Sequence, residues 1–196
     1  MVDVWITLPV TAKSDIMPKQ DAAIDSGMSQ QNSIGTRWGK LPWLALSVVL
    51  IAVDLITKHL VSGAFYLGEQ LAILPFFNLT LAHNSGAAFS FLYDAGGWQR
   101  WFFSFIALAV SAVIIRWLYK LKPEQTLLAV ALSCVLGGAI GNLVDRLTLG
   151  YVVDFIQVYW RHWYFPSFNV ADSAITLGAG LLILDAIINP EPKKET

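Results

Sequence analysis

Three acidic side chains stand close together in a stretch that is otherwise rich in apolar and aromatic residues. From Gly141 to Ser173 the chain reads GNLVDRLTLGYVVDFIQVYWRHWYFPSFNVADS, carrying Asp145, Asp154 and Asp172. The apolar runs on either side are long enough to cross a bilayer, and carboxylates near lipid are costly and mark functional sites. Asp154 and Asp172 are read as a working pair. Two carboxyls held together cannot both ionise easily, so their protons leave in separate steps and at neutral pH one proton is shared. The ionised member takes a proton from water while the neutral one polarises a carbonyl. Such chemistry hydrolyses a peptide without a metal or covalent intermediate. Asp172 opens an apolar run, where free N–H groups and the helix dipole favour negative charge. Val152, Val153, Phe155 and Ile156 around Asp154 favour its protonated form. Asp172 is therefore assigned as base and Asp154 as the starting acid.

Neighbouring residues suggest support. Asn142 and Arg146 are four apart and share a helical face; the arginine either holds a peptide carbonyl or lipid phosphate, or pairs with an Asp. Asn169 precedes Asp172 by three, so it caps a helix or orients a carboxyl. Asp54 and Lys58, again four apart, form either a structural ion pair or part of the site. The run Asn84-Ser85-Gly86-Ala87-Ala88 is a turn, or an extended segment able to receive a peptide as an added strand. Other chemistries find no purchase. The chain has no H-E-x-x-H, no G-x-S-x-G and no glycine-rich phosphate loop. His59, His83 and His162 are widely separated, and read as interfacial polar residues. Lys58 already has Asp54 beside it, leaving Ser62 a poor partner for Ser–Lys catalysis. The single cysteine, Cys134, allows no internal disulfide or Cys-rich metal site and reads as a small buried residue. No cofactor and no metal are expected.

The elements that must position these residues follow from composition. The 196-residue chain is 56% hydrophobic and 14% charged, and its mean hydropathy of +0.56 is too high for an ordinary soluble domain. Eight Trp and six Tyr suit the two interfaces of a bilayer. A net charge of −1 with scattered basic residues gives no nucleic-acid patch. Four spans are predicted, Leu41 to Val61, Trp101 to Tyr119, Thr126 to about Val144, and Ala171 to Ile188. Between the first two, Ala72–Leu74 and Phe77–Leu81 look strand-like. Ala129, Ser133, Gly137 and Gly141 set small residues on one face of the third span, a pattern that lets helices approach closely. The domain reading is a disordered tail over 1–36, a four-helix membrane domain over 37–190 and a C-terminal cytoplasmic tail over 191–196. The first tail lacks the pattern of a secretory signal. Of 13 Lys and Arg, nine fall on the side of the termini: Lys13, Lys19, Arg37, Lys40, Arg116, Lys120, Lys122, Lys193 and Lys194. The other four are Lys58, Arg100, Arg146 and Arg161. Both termini are thus expected in the cytoplasm, with Asp154 and Asp172 near the outer interface.

An ordered set of short stretches gives the sequence a family likeness. They are Val53-Asp54 with Lys58, Asn84-Ser85-Gly86-Ala87-Ala88-Phe89-Ser90, Gly137-Gly138 through Gly141-Asn142, Asp145-Arg146, Val152-Val153-Asp154-Phe155, and Phe168-Asn169-Val170-Ala171-Asp172-Ser173. Over about residues 41 to 188 the chain resembles the bacterial lipoprotein signal peptidases, signal peptidase II. It departs at Leu55, where the family usually carries Gln. The resemblance implies an all-α membrane protein of four transmembrane helices with a small outward-facing β-sheet cradle. It implies an aspartic endopeptidase of the bacterial inner membrane that cuts diacylglyceryl-modified prolipoproteins just before the lipidated cysteine. By position Asp154 and Asp172 become the catalytic pair, while Asp54, Asn84, Asn142, Asp145, Arg146 and Asn169 support the pair or contact substrate. Membrane lipid and a globomycin-type inhibitor are the other implied partners, and a monomer is expected. Two rivals remain. A transporter would show internal repeats or acids near mid-span, and a structural subunit would need neither Asp154 nor Asp172.

Overall fold

The structure, a computed structural model, describes residues 40–86 and 96–190. The two tails and the Ala87 to Ser90 part of the family stretch therefore lie outside the described residues. Among the described residues, four helices are long and apolar enough to cross a membrane. A 3-10 turn, Leu41–Trp43, leads into α1, Leu44–Ala64, with Pro42 in the first turn, where its missing N–H costs nothing. Two strands follow, β1 (Gln70–Leu74) and β2 (Phe77–Asn84). Next are α2 (Trp98–Lys120) and α3 (Thr126–Thr148). Then come β3 (Val152–Trp160), β4 (Trp163–Tyr164) and α4 (Val170–Ile188).

Helix α3 is the centre of the bundle. Its apolar window is 67% buried, against 17–22% for the other three spans, and it packs on α1, α2 and α4. The predicted row of small residues explains this. Ser47 on α1 donates to the Ser133 carbonyl at 2.8 Å. A Cβ on Gly137 would sit 2.9 Å from Leu50 Cβ, and one on Gly141 2.6 Å from Asp54 Oδ2. A neighbouring glycine, Gly138, faces α4 instead, where a Cβ would collide with the carbonyl oxygen of Ala171. At the other end of α3, Leu128, Leu132 and Leu136 pack with Ile114 and Leu118 of α2. Cys134 is buried, as expected.

The four strands form one antiparallel sheet in the order β1-β2-β3-β4. Register sets Ala82 opposite Asp154 and Asn84 opposite Val152. Strand β3 is not among the strand-like segments read from the sequence, which were confined to β1 and β2. Its opening residues Val152–Phe155 are all buried, so the in-out alternation that announces a strand is missing there. Beyond β4 the chain turns back. Phe168 bridges Ile156, and its carbonyl accepts from the N–H groups of Phe155 and Ile156 at 3.0 and 2.8 Å. That return delivers Asn169, and hence the start of α4, beside Asp154. Helix α3 runs to Thr148, four residues past the expected limit, so Asp145 and Arg146 lie on its last turn.

Candidate active site

Asp154 and Asp172, eighteen positions apart, line one cavity of about 870 Å³ with Asn84, Asn142 and Arg146. Asn169 joins them. Its Nδ2 donates to Asp154 Oδ1 at 2.7 Å, its Oδ1 accepts the Asp172 N–H at 2.9 Å, and its own N–H donates to Asp172 Oδ2 at 3.3 Å. The last two bonds are a capping box at the start of α4. Asn169 thus does both things its position allowed: it caps the helix and aims a carboxyl. Asp172 Oδ1 also accepts from Asn142 Nδ2 at 2.7 Å, and Asp154 Oδ2 from Asn84 Nδ2 at 3.0 Å. Burial in the protein and the charge of nearby Asp172 push the Asp154 carboxyl up from 3.8 to about 7.

The neighbouring residues surround the pair in different ways. Asn84 Oδ1 accepts from the Gly86 N–H at 3.0 Å, an Asx-type turn ending β2. Arg146 reaches the carbonyls of Asn142 and Gly86, both at 3.3 Å, and lies 5.3 Å over the Phe103 ring. Asp54 pairs with Lys58 at 2.7 Å, and Asp145 meets the same ammonium at 3.0 Å. These two acids sit behind the cavity. Asp54 Oδ1 accepts the Ala171 N–H at 2.8 Å and Asp145 Oδ2 the Val153 N–H at 3.0 Å.

Sequence reasoning passed over two features. His83, read as interfacial, lines the cavity and stacks on Tyr151 with ring centroids 3.9 Å apart. Burial lowers its imidazole below the ordinary value. Its neighbour Asn84 was the only signal. The second is the reach of Lys58, whose Nζ also donates to Asn142 Oδ1 at 2.9 Å, 84 positions away. Among the described residues no group of His, Cys, Asp and Glu is arranged to hold a metal.

Four spanning helices and a carboxylate-lined cavity where α3, α4 and the sheet meet describe a polytopic membrane enzyme. Solved structures agree with that class. One, a bacterial membrane enzyme determined by the in meso method at 2.3 Å, superposes with a TM-score of 0.69 at 29% identity, covering 82% of this chain and 98% of its own. A second, at 1.9 Å, gives 0.65 at 28% identity over 80% and 98%. The family model for signal peptidase (SPase) II matches residues 46–188. The lipoprotein signal peptidase of Ectopseudomonas mendocina is 54% identical over 162 residues, 82% of this chain and 96% of the relative. That of Pseudomonas syringae pv. tomato is 55% identical over 152 residues, 76% and 88% respectively. The chain belongs to the signal peptidase II family and is a multi-pass membrane peptidase.

Proposed function

We propose that this peptidase removes the signal peptide from diacylglyceryl-modified prolipoproteins, cutting before the lipidated cysteine, by water activated between Asp172 and Asp154. The observation that carries the reading is that both carboxyl groups line one cavity and are held by one residue, Asn169, whose side-chain NH₂ donates to Asp154 and whose main-chain N–H donates to Asp172. Asp172, as carboxylate, takes a proton from water, whose oxygen attacks the scissile carbonyl carbon. Asp154, as neutral acid, gives its proton to the carbonyl oxygen. The tetrahedral gem-diol then collapses: the C–N bond breaks as Asp172 gives its proton to the leaving nitrogen, and Asp154 recovers a proton from one gem-diol hydroxyl as the C=O of the new carboxyl re-forms. The environment of Asp154, largely dry and beside a second acid, supports the neutral role.

Asp54, Asn84, Asn142, Asp145, Arg146 and Asn169 serve as support or substrate contacts. The cavity continues along α4 past Ile175, Thr176 and Leu177, the last 59% exposed on a spanning helix. That route suits a lipidated substrate, because drawing an acyl chain out of the bilayer costs about 0.8 kcal/mol per CH₂. The enzyme works without a cofactor, as a monomer in the bacterial inner membrane. Both termini are cytoplasmic, the site faces outward, and a globomycin-type peptide occupies the same cavity.

The test is cleavage of a diacylglyceryl prolipoprotein by Asp154→Asn and Asp172→Asn. Each variant is expected to lose at least a thousandfold in turnover, on the order of the loss for a catalytic carboxylate, while inserting and melting like a folded protein. Processing by both variants would rule the mechanism out.

A further inference from the structure

The structure assigns Lys58 as a positioning residue that ties together the backbones and the amide holding the two site aspartates. Its side chain is 3% exposed. Three acceptors surround the ammonium: Asp54 Oδ2 at 2.7 Å, Asp145 Oδ2 at 3.0 Å and Asn142 Oδ1 at 2.9 Å. Three acceptors match the three N–H bonds of an ammonium, so its capacity is filled.

What each acceptor does next is the substance of the inference. Asp54 holds the N–H of Ala171, the residue before Asp172. Asp145 holds the N–H of Val153, the residue before Asp154. One cation thus joins two carboxylates, each fixing the main chain one position before a site acid. The two segments, from α4 and β3, already meet through Phe168 and Asn169, and Lys58 adds a second link behind them that fixes the residue before each acid. The third contact acts on orientation. An ammonium only donates, so Asn142 must present its oxygen to Lys58 and its NH₂ to Asp172, at 2.7 Å. Asp172 is thereby offered a donor, the partner that a carboxylate acting as base can accept. Turned over, the same amide would set an oxygen against the Asp172 carboxylate, two acceptors with no hydrogen between them.

This rests on the two-aspartate reading, and its test separates the two. Full-length protein in lipid is assayed as wild type, Asp154→Asn, Lys58→Met, and Lys58→Met/Asp145→Asn. The double variant removes one charge of each sign and keeps an amide oxygen for the Val153 N–H. In both Lys58 variants kcat should fall by roughly a hundredfold, the scale of an ångström-sized misplacement, with KM changed by less than about threefold. The basic limb of the pH profile should also move up. Among the described residues the charged and titratable groups around Asp154 are Asp172 on α4, Arg146 and Asp145 on α3, His83 on β2 and Lys58 on α1; removing the last leaves Asp172 less opposed. A double variant with wild-type kcat and pH profile would reduce Lys58 to charge balance and overturn the inference. So would variants that cannot be assembled at all, since a positioning residue must be removable from a standing bundle. Should Asp154→Asn cleave normally, the two-aspartate reading falls instead.

Discussion

Asp154 carries the largest electrostatic consequence of any single residue in the cavity. It is 2% exposed, and its carboxyl rises from 3.8 to about 7 through burial and then through Asp172. Between those two values the folded protein keeps a proton that the unfolded chain gives up. Stability therefore falls as pH rises from about 4 to 7, by roughly 4 kcal/mol at 1.36 kcal/mol per unit, and is level above. Asp154→Asn cannot ionise and escapes that loss, though it forfeits about 1 kcal/mol by turning one NH₂ toward Asn84 or Asn169, both donors here. The variant should thus melt higher than wild type at pH 8 and no higher at pH 4, by scanning calorimetry in detergent. Equal pH dependence of the two proteins would contradict it. In the wild type, cleavage should decline above about pH 7 as Asp154 gives up the proton it must donate, whereas stability is already at its floor. That Asp154 and Asp172 would meet in one cavity was legible from sequence, since both stand at the ends of apolar segments on one side of the predicted spans. The Lys58 contact with Asn142 was not, because no local rule joins residues 84 positions apart.

At the scale of elements, the helices were readable and the third strand was not, for one physical reason. A span must be apolar for about 20 residues, a signal that survives whatever it packs against. Strand β3 is defined by its neighbours. Phe155 and Ile156 become strand residues by bonding to Phe168, and Ala82 to Asn84 pair along Asp154 to Val152. The small-residue row likewise told that α3 would be approached closely, and the structure adds by whom. Two glycines on α4 make the point testable. A Cβ on Gly178 would lie 2.7 Å from the Ala131 carbonyl and 2.9 Å from the Val135 nitrogen, whereas Gly180 has nothing within 4 Å. Because backbone cannot step aside, Gly178→Ala should destabilise by about 1–3 kcal/mol and depress cleavage by shifting the start of α4. Gly180→Ala should be neutral or gain up to about 1 kcal/mol in helix preference. Parallel melting curves decide; equal losses at both positions would mean that α4 does not meet α3 as described.

For the whole molecule, the site has an orientation as well as a geometry. Asp172 lies on the first turn of α4 and Asp145 on the last turn of α3, so the cavity opens at one end of the bundle. The α2–α3 connection, with Lys122 and Glu124, joins the opposite ends. The topology proposed above, with basic residues in excess on the side of the termini, puts that connection in the cytoplasm. The lone cysteine makes this measurable with little disturbance. With Cys134 replaced by Ala, Glu124→Cys and His162→Cys each present one thiol at an exposed position on opposite ends. A maleimide that cannot cross membranes should label the His162→Cys protein in intact spheroplasts, and the Glu124→Cys protein only after permeabilisation. The reverse pattern would turn the active site toward the cytoplasm, and with it away from substrates whose mature portions lie beyond the membrane.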